Sequence, residues 1–242
     1  MRLLIIRHGD PDYAVDSLTE KGRREAEFLA ERMAKEKIDA FYVSPLGRAR
    51  DTAAYTLNAM HAQGKTLGWL REFHAPIWDK AAKKIRGPWD LLPSFYTVNE
   101  DFYDVHRWAD TDFMRGGLRL KPEYNRVCKG LDKVLRQHGY ARHGNFYKAL
   151  VPNMDTLAFF CHFGVECVML SHLLHVSPVV LWQGFCAAPT SVTTLYTEER
   201  EEGIAVFRCS AFGDISHLYA HGEPPAFAAR FCEMYANEDE RH

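Results

Sequence analysis

An apolar run, Leu3-Leu4-Ile5-Ile6, ends in Arg7-His8-Gly9. A neutral imidazole in such a place can attack phosphorus and hold the phosphoryl group covalently, provided its other ring nitrogen is fixed by a hydrogen bond. Three further stretches end in related chemistry. Ser44-Pro45-Leu46-Gly47-Arg48 brings a second arginine, Leu70-Arg71-Glu72 a carboxylate, and Cys161-His162-Phe163-Gly164 a second histidine. Phosphoryl transfer needs this set of types: a nucleophile, cations to neutralise the equatorial oxygens, and an acid to protonate the leaving oxygen. Each member has a bland alternative. Arg7 and His8 alone read as side chains satisfying strand-end carbonyls, and Arg48 as an exposed cation. It is the convergence of Arg, His, Arg, Glu and His on strand ends that points to chemistry.

Residues 3–6 and 157–161 are apolar runs of the kind buried on both faces of a largely parallel sheet. Between 17 and 35, Ala26, Leu29, Ala30 and Met33 keep helical spacing after a Ser17-Leu18-Thr19-Glu20 start. A strand at 41–44 then leads into a helix carrying Ala49, Ala53, Leu57 and Met60. This is a βαβ opening. Arg48 falls in the first turn of that helix, against the macrodipole preference, which makes sense if an anion sits there. Open sheets of this class bind ligands at the carboxyl ends of their strands.

After Leu70 the rhythm breaks. Residues 73–150 hold Pro76, Pro88, Pro93 and Pro122 and are expected to form helices near 95–108 and 123–138. Regular structure resumes with the strand at 157, a helix over 165–174, strands near 191–197 and 204–209, and a C-terminal helix over 225–235. The expected fold is an α/β three-layer sandwich: a mostly parallel central sheet flanked by helices, as one domain over 1–242 with a cap-like helical insertion at about 73–150.

The chain's 242 residues suffice for a substantial core, and 47% hydrophobic and 26% charged residues exclude wholesale disorder. A formal charge of -2 excludes a global basic field for nucleic acid or an anionic membrane. The apolar run near the start is too short for a signal-peptide core or a membrane span, so the expected location is cytoplasmic. Six cysteines show no metal-ligand spacing and read as reduced, buried thiols.

The ordered motifs resemble the histidine phosphatase superfamily, also called phosphoglycerate mutase-like. They are Arg7-His8-Gly9; Leu18-Thr19-Glu20-Lys21-Gly22 with Glu25-Ala26; Ser44-Pro45-Leu46 through Arg48-Ala49 and Thr52-Ala53; and His162 before Gly164. A weaker echo is Gly213-Asp214-Ile215-Ser216-His217-Leu218. The resemblance covers about residues 1–72 and 156–220. It implies that His8 becomes phosphohistidine, that Arg7, Arg48 and His162 surround the phosphate, and that Glu72 is the general acid and then the base. It also implies a phosphomonoester hydrolase without metal or other cofactor, acting on a small phosphorylated metabolite. Asp10, directly after the first motif, is a second candidate acid. The Asn and Ser that the family's mutases carry after this motif are absent, which disfavours the alternative of a phosphoglycerate mutase-type phosphotransferase. A non-catalytic member that only binds phosphorylated ligands is the other alternative, opposed by the presence of both His8 and His162.

Other features favour ordinary roles. His172 and His175 lack a ligand cluster, His217 reads as structural, and Trp78, Trp89, Trp108, Tyr96 and Tyr103 more often make a small core than a specificity pocket. The charge is divided: residues 73–150 hold 14 Lys and Arg against 9 Asp and Glu, and the rest 16 against 23. A basic segment beside a phosphate site would favour anionic substrates, and a solvated basic face is the equal alternative.

Overall fold

β1 (Arg2–Arg7) is apolar between its terminal arginines, and the fold uses both its faces. Side chains alternate along a strand, so Leu3 and Ile5 enter one hydrophobic cluster and Leu4 and Ile6 the other. The computed structural model describes residues 1–79, 83–117, 119–228 and 230–237. It places β1 within an eight-stranded sheet. After β1 come α1 (Glu20–Met33), β2 (Ala40–Val43), α2 (Gly47–Ala59) and β3 (Gly64–Thr66). A separate hairpin of β4 (Ile77–Asp79) and β5 (Lys84–Arg86) follows. The remainder is α3 (Leu120–Gln137), β6 (Tyr140–His143), β7 (Phe146–Ala149), β8 (Thr156–Cys161), α4 (Phe163–Leu174), α5 (Pro178–Gly184), β9 (Val192–Glu201), β10 (Ile204–Asp214) and α6 (Ser216–Ala220).

The strand order is β3-β2-β8-β1-β9-β10-β7-β6. β3, β2, β8 and β1 are parallel to one another, and the pairings from β1 to β6 are antiparallel. The antiparallel half is built from hairpins, β6 with β7 and β9 with β10, whose short turns allow no other sense. Leu29 and Met33 of α1 and Ala53 of α2 pack on one face of the sheet. Leu131 of α3, Val165 and Val168 of α4 and Leu181 of α5 pack on the other. The α/β sandwich of three layers is thus as the sequence pattern predicts. From β1 the chain crosses to β2 past β8, through α1; from β8 it returns to β9 past β1, through α4 and α5 on the opposite face. The two crossovers diverge and leave a crevice at the carboxyl ends of β1 and β8, the place where such sheets bind ligands.

Several expectations need correction. The stretch 95–108 is not one helix but a set of single turns at Pro93–Tyr96, Glu100–Tyr103 and Trp108–Asp110. Asn99 and Asp104 side chains accept from backbone N–H groups here, offering the chain local alternatives to helix. Within 73–150, α3 covers the sheet and β6 and β7 form its far edge, so only the hairpin and turns of 77–115 stand outside the sheet frame. No helix occupies the described residues of 225–235; the last helix among the described residues is α6. The cysteines divide: Cys128, Cys161 and Cys167 are buried, while Cys186, Cys209 and Cys232 are exposed. Of the aromatic residues in the insertion, Trp108 is buried against Trp182, whereas Trp78 and Tyr103 are exposed. No helix among the described residues is long and apolar enough to cross a membrane.

Ile5, fully buried in the central strand, is a direct probe of this core. Ile5→Ala is expected to lower unfolding free energy by about 2–5 kcal/mol, measured by urea denaturation; a loss below about 1 kcal/mol would contradict close packing around this side chain.

Candidate active site

Three strand ends meet because their registers agree. Arg7 of β1 pairs with Cys161 of β8, and Val43 of β2 with Phe160. The residues that follow, His8, His162 and Ser44, therefore stand side by side. His8 N–H donates to the Cys161 carbonyl at 3.0 Å and Ser44 N–H to that of Phe160 at 2.9 Å. The two imidazole rings are buried with centroids 5.0 Å apart.

His8 Nδ1 lies 2.7 Å from the Gly9 carbonyl oxygen. A carbonyl only accepts, so Nδ1 carries the proton and Nε2 presents a lone pair. Arg48 Nε–H donates to that lone pair at 3.3 Å, in agreement with the same tautomer. Burial, then the charge of Arg7, holds the His8 imidazole well below its ordinary pKa of 6.5, with Arg48 adding to the effect against the opposing Gly9 bond. His162 Nε2 lies 2.7 Å from Ser44 Oγ. Its pKa is likewise well below 6.5, through burial first and then the charges of its neighbours. His162 Nδ1 is buried and, among the described residues, has no partner.

Arg7 reaches the crevice from the end of β1. Its Nη1 donates to the Ala187 carbonyl at 2.5 Å and its Nη2 to that of Ala228 at 3.4 Å. Its Nε is buried without a partner among the described residues. Two orphaned nitrogens in one crevice are costly unless a ligand meets them. Glu72 completes the set from the loop after β3. Its Oε1 accepts from Phe73 N–H at 2.7 Å and from Val165 N–H, in the first turn of α4, at 3.1 Å. Burial raises the Glu72 pKa, and the Phe73 amide and the charges of Arg7 and Arg48 oppose it only in part. The approach is possible because residue 164 is glycine. A Cβ there would lie 2.7 Å from Glu72 Oε1 and 2.8 Å from the Trp89 ring, so both Glu72 and Trp89 of the insertion close on residue 164.

The structure thus brings His8, His162, Arg48 and Glu72 to one crevice with Arg7. Asp10, the other candidate acid, is engaged elsewhere: its Oδ2 accepts from Thr19 Oγ1 at 2.7 Å at the start of α1. His217 contacts Thr190 Oγ1 at 3.0 Å, and Thr190 N–H donates to the His8 carbonyl at 3.1 Å, so His217 props the backbone behind the nucleophile position. His172 pairs with Asp132. Among the described residues no group of three or more His, Cys, Asp or Glu could hold a metal ion.

Sequence reasoning passed over four residues. Thr52 Oγ1 accepts from Gly9 N–H at 2.9 Å, and Ser44 holds His162. Asp16 is the anion expected at the α2 start, bonded to Gly47 N–H at 2.7 Å and to Arg48 at 2.6 Å. Glu166, fully buried in α4, accepts from Thr193 Oγ1 at 2.6 Å, and burial pushes its pKa up to about 7. A lone acid four residues after His162 in an otherwise apolar helix was the available signal for Glu166; Asp16 has none, because its partners are 31 and 32 residues away. Some of the cations of 73–150 are paired within the segment: Arg86 with Asp79 and Asp90, Arg107 with Asp101 and Asp104, Lys121 with Asp110, and Arg126 with Glu123.

A family model described as the histidine phosphatase superfamily (branch 1) matches residues 3–210. Phosphoserine phosphatase 1 of Hydrogenobacter thermophilus is 26% identical over 150 residues, which is 57% of this chain and 66%, just under two thirds, of that enzyme. Among solved structures, a phosphoserine phosphatase mutant of Entamoeba histolytica in complex with phosphoserine superposes with a TM-score of 0.61 at 18% identity, over 90% of this chain and 98% of the other. A mycobacterial glucosyl-3-phosphoglycerate phosphatase gives 0.61 at 19% identity, over 88% and 98%.

The depressed histidine pKa values have a signed consequence. Below pH 6.5 the unfolded chain binds protons at His8 and His162 that the ligand-free folded protein does not, so the contribution of these two groups to stability falls as pH falls through that window, while Glu166 at about 7 contributes in the opposite sense. In an NMR titration of the ligand-free protein His8 is expected to be neutral at pH 6.5. A His8 ring half-protonated at pH 6.5 or above would refute burial and the Arg7 charge as the forces that keep it neutral.

Proposed function

The chain belongs to the histidine phosphatase superfamily, and from that membership we propose that it is a phosphatase that hydrolyses a small phosphorylated metabolite through a phosphohistidine on His8. One observation carries this reading: the Nδ1–H of His8 is fixed on Gly9 while its Nε2 meets the Nε–H of Arg48, and the buried Arg7 Nε and His162 Nδ1 of the neighbouring side chains lack partners among the described residues. That is a nucleophile in the right tautomer beside nitrogens that lack an anion to bind.

In the proposed cycle the phosphate docks against Arg7, Arg48 and His162. The His8 Nε2 lone pair attacks phosphorus, the bond to the leaving oxygen breaks, and Glu72 delivers its proton to that oxygen. Glu72 suits the task because burial keeps it protonated above the ordinary carboxyl range. Water then attacks phosphorus, Glu72 takes its proton, and the P–N bond breaks to restore neutral His8. The two arginines neutralise the transferring group, so the cycle asks for no metal ion. We read residues 1–242 as one domain, with 77–115 as the cap that brings Trp89 to the leaving-group side of Glu72. The proteins similar to this chain are named for phosphoserine and glucosyl-3-phosphoglycerate, which supports a small-metabolite substrate. Free, buried thiols at Cys128, Cys161 and Cys167 fit a reducing, cytoplasmic setting.

A panel of phosphorylated metabolites assayed in the presence of EDTA tests the proposal. Phosphate release that His8→Ala abolishes is expected; full turnover by His8→Ala, or activity only with added metal, would overturn it. Arg48→Ala should lose about 100-fold or more in kcat/KM with its fold intact, and near-wild-type kinetics would remove Arg48 from the site. Glu72→Gln should slow alkyl phosphates far more than p-nitrophenyl phosphate, whose leaving group needs no proton; equal slowing of both would refute the acid role.

A further inference from the structure

Asp16 joins the loop after the first motif to the beginning of α2, and through it to the proposed nucleophile. Its carboxylate is divided between two partners: Oδ2 accepts from Gly47 N–H at 2.7 Å and Oδ1 from Arg48 Nη1 at 2.6 Å. The loop is pressed onto the helix start. A Cβ on residue 47 would lie 2.0 Å from the Asp16 carbonyl oxygen, so only glycine admits this contact, and Asp16 itself adopts φ 49°, the left-handed region uncommon outside glycine. Ser17 Oγ adds a bond of 2.5 Å to Asp51 one turn further along α2. Burial works against the charge on Asp16, but the Gly47 amide and Arg48 outweigh it and hold its pKa below the ordinary value, so the pair stays ionic.

Arg48, fixed in this way on one side, turns its Nε–H onto His8 Nε2 at 3.3 Å, and Tyr13 covers the guanidinium with its ring centroid at 5.4 Å. The donated hydrogen rests on the lone pair that the proposed chemistry needs. Attack on phosphorus therefore requires that hydrogen bond to be exchanged, and a phosphate oxygen is the acceptor that can take it over without moving Arg48 off its tether. We propose that Asp16 is a positioning residue: it holds Arg48 so that the Nε–H caps His8 Nε2 in the free protein and passes to a phosphate oxygen when substrate enters. The proton stays on Arg48 throughout; only its acceptor changes. This rests on the assignment of His8 and Arg48 above. It also carries a cost in affinity, because the Asp16 charge beside Arg48 opposes binding of a phosphate dianion. Orientation is gained and attraction given up.

The test uses the full chain with Asp16→Asn, which can still meet the Gly47 amide, and Asp16→Ala, with thermal melting as the check of folding. With p-nitrophenyl phosphate, kcat should fall about tenfold or more in both variants, as expected for a misplaced transition-state group. KM and the inhibition constant of inorganic phosphate should be unchanged or lower, a split that general damage to the site would not produce. The 15N resonance of His8 Nε2 should also shift in both folded variants without ligand, a readout that needs no turnover. A kcat within about twofold of wild type, a parallel weakening of phosphate inhibition, or an unmoved His8 resonance would each overturn the proposal. Failure of the phosphatase reading is separate: it would appear as full turnover by His8→Ala, with the resonance shift in the Asp16 variants still deciding whether the tether exists.

Discussion

The pairing of β1 with β8 is the constraint on which the rest depends. Their register sets Arg7 against Cys161, and one residue beyond, His8 beside His162. A slip of one residue would turn each strand over in its pleat. It would carry Leu3 and Ile5 out of one hydrophobic cluster and Leu4 and Ile6 out of the other, and the imidazoles would no longer meet. Because both faces of β1 are buried, that slip is opposed by the whole core. The precision of the crevice is in this sense a by-product of hydrophobic packing on two sides of one strand.

Burial then shapes the charge of the crevice, and it acts on acids and bases alike by disfavouring the charged form. It keeps His8 and His162 neutral and Glu72 inclined to hold its proton. Glu166, deeper in α4, follows the same rule at about 7. Arg7 and Arg48 stay charged regardless, since a guanidinium does not give up its proton in proteins. The free site is therefore a cationic crevice with a neutral imidazole and an acid inclined to hold its proton, the state that the proposed attack on a phosphate dianion asks for. Asp16 is the counterweight: an ionised carboxylate that touches Arg48 from the outer side.

Strands and the long helices were legible because their signals are local. The apolar runs at 3–6 and 157–161 and the helical spacing of Ala26, Leu29 and Met33 each reflect burial that a short window records. Arg7, His8 and His162 were legible as types at strand ends, while Arg48 stands in the first turn of α2 and Glu72 in the loop after β3; the crossing of α1 and α4 to opposite faces explains why the ends of β1 and β8 face one crevice. What was not legible depends on contacts between distant segments. Asp16 is tied to Gly47 and Arg48 of another element, and Glu166 to Thr193 of β9. The predicted helix at 95–108 failed because Asn99 and Asp104 turn the chain with their own side chains. The segment 73–150 misled as a unit, since its last part returns to the sheet frame as α3 and, at the sheet's edge, as β6 and β7.

The central claim is that His8 Nε2 forms a covalent bond to phosphorus. Rapid acid-free quenching of the enzyme during turnover of a phosphorylated substrate, followed by mass spectrometry and 31P NMR, measures it directly. The account requires one phosphoryl group on His8 through Nε2, stable to alkali and lost in acid, and none in His8→Ala. A fully active enzyme that shows no phosphoryl group at His8 under conditions where hydrolysis of the phosphoenzyme is rate-limiting, or a group on another residue, would contradict it.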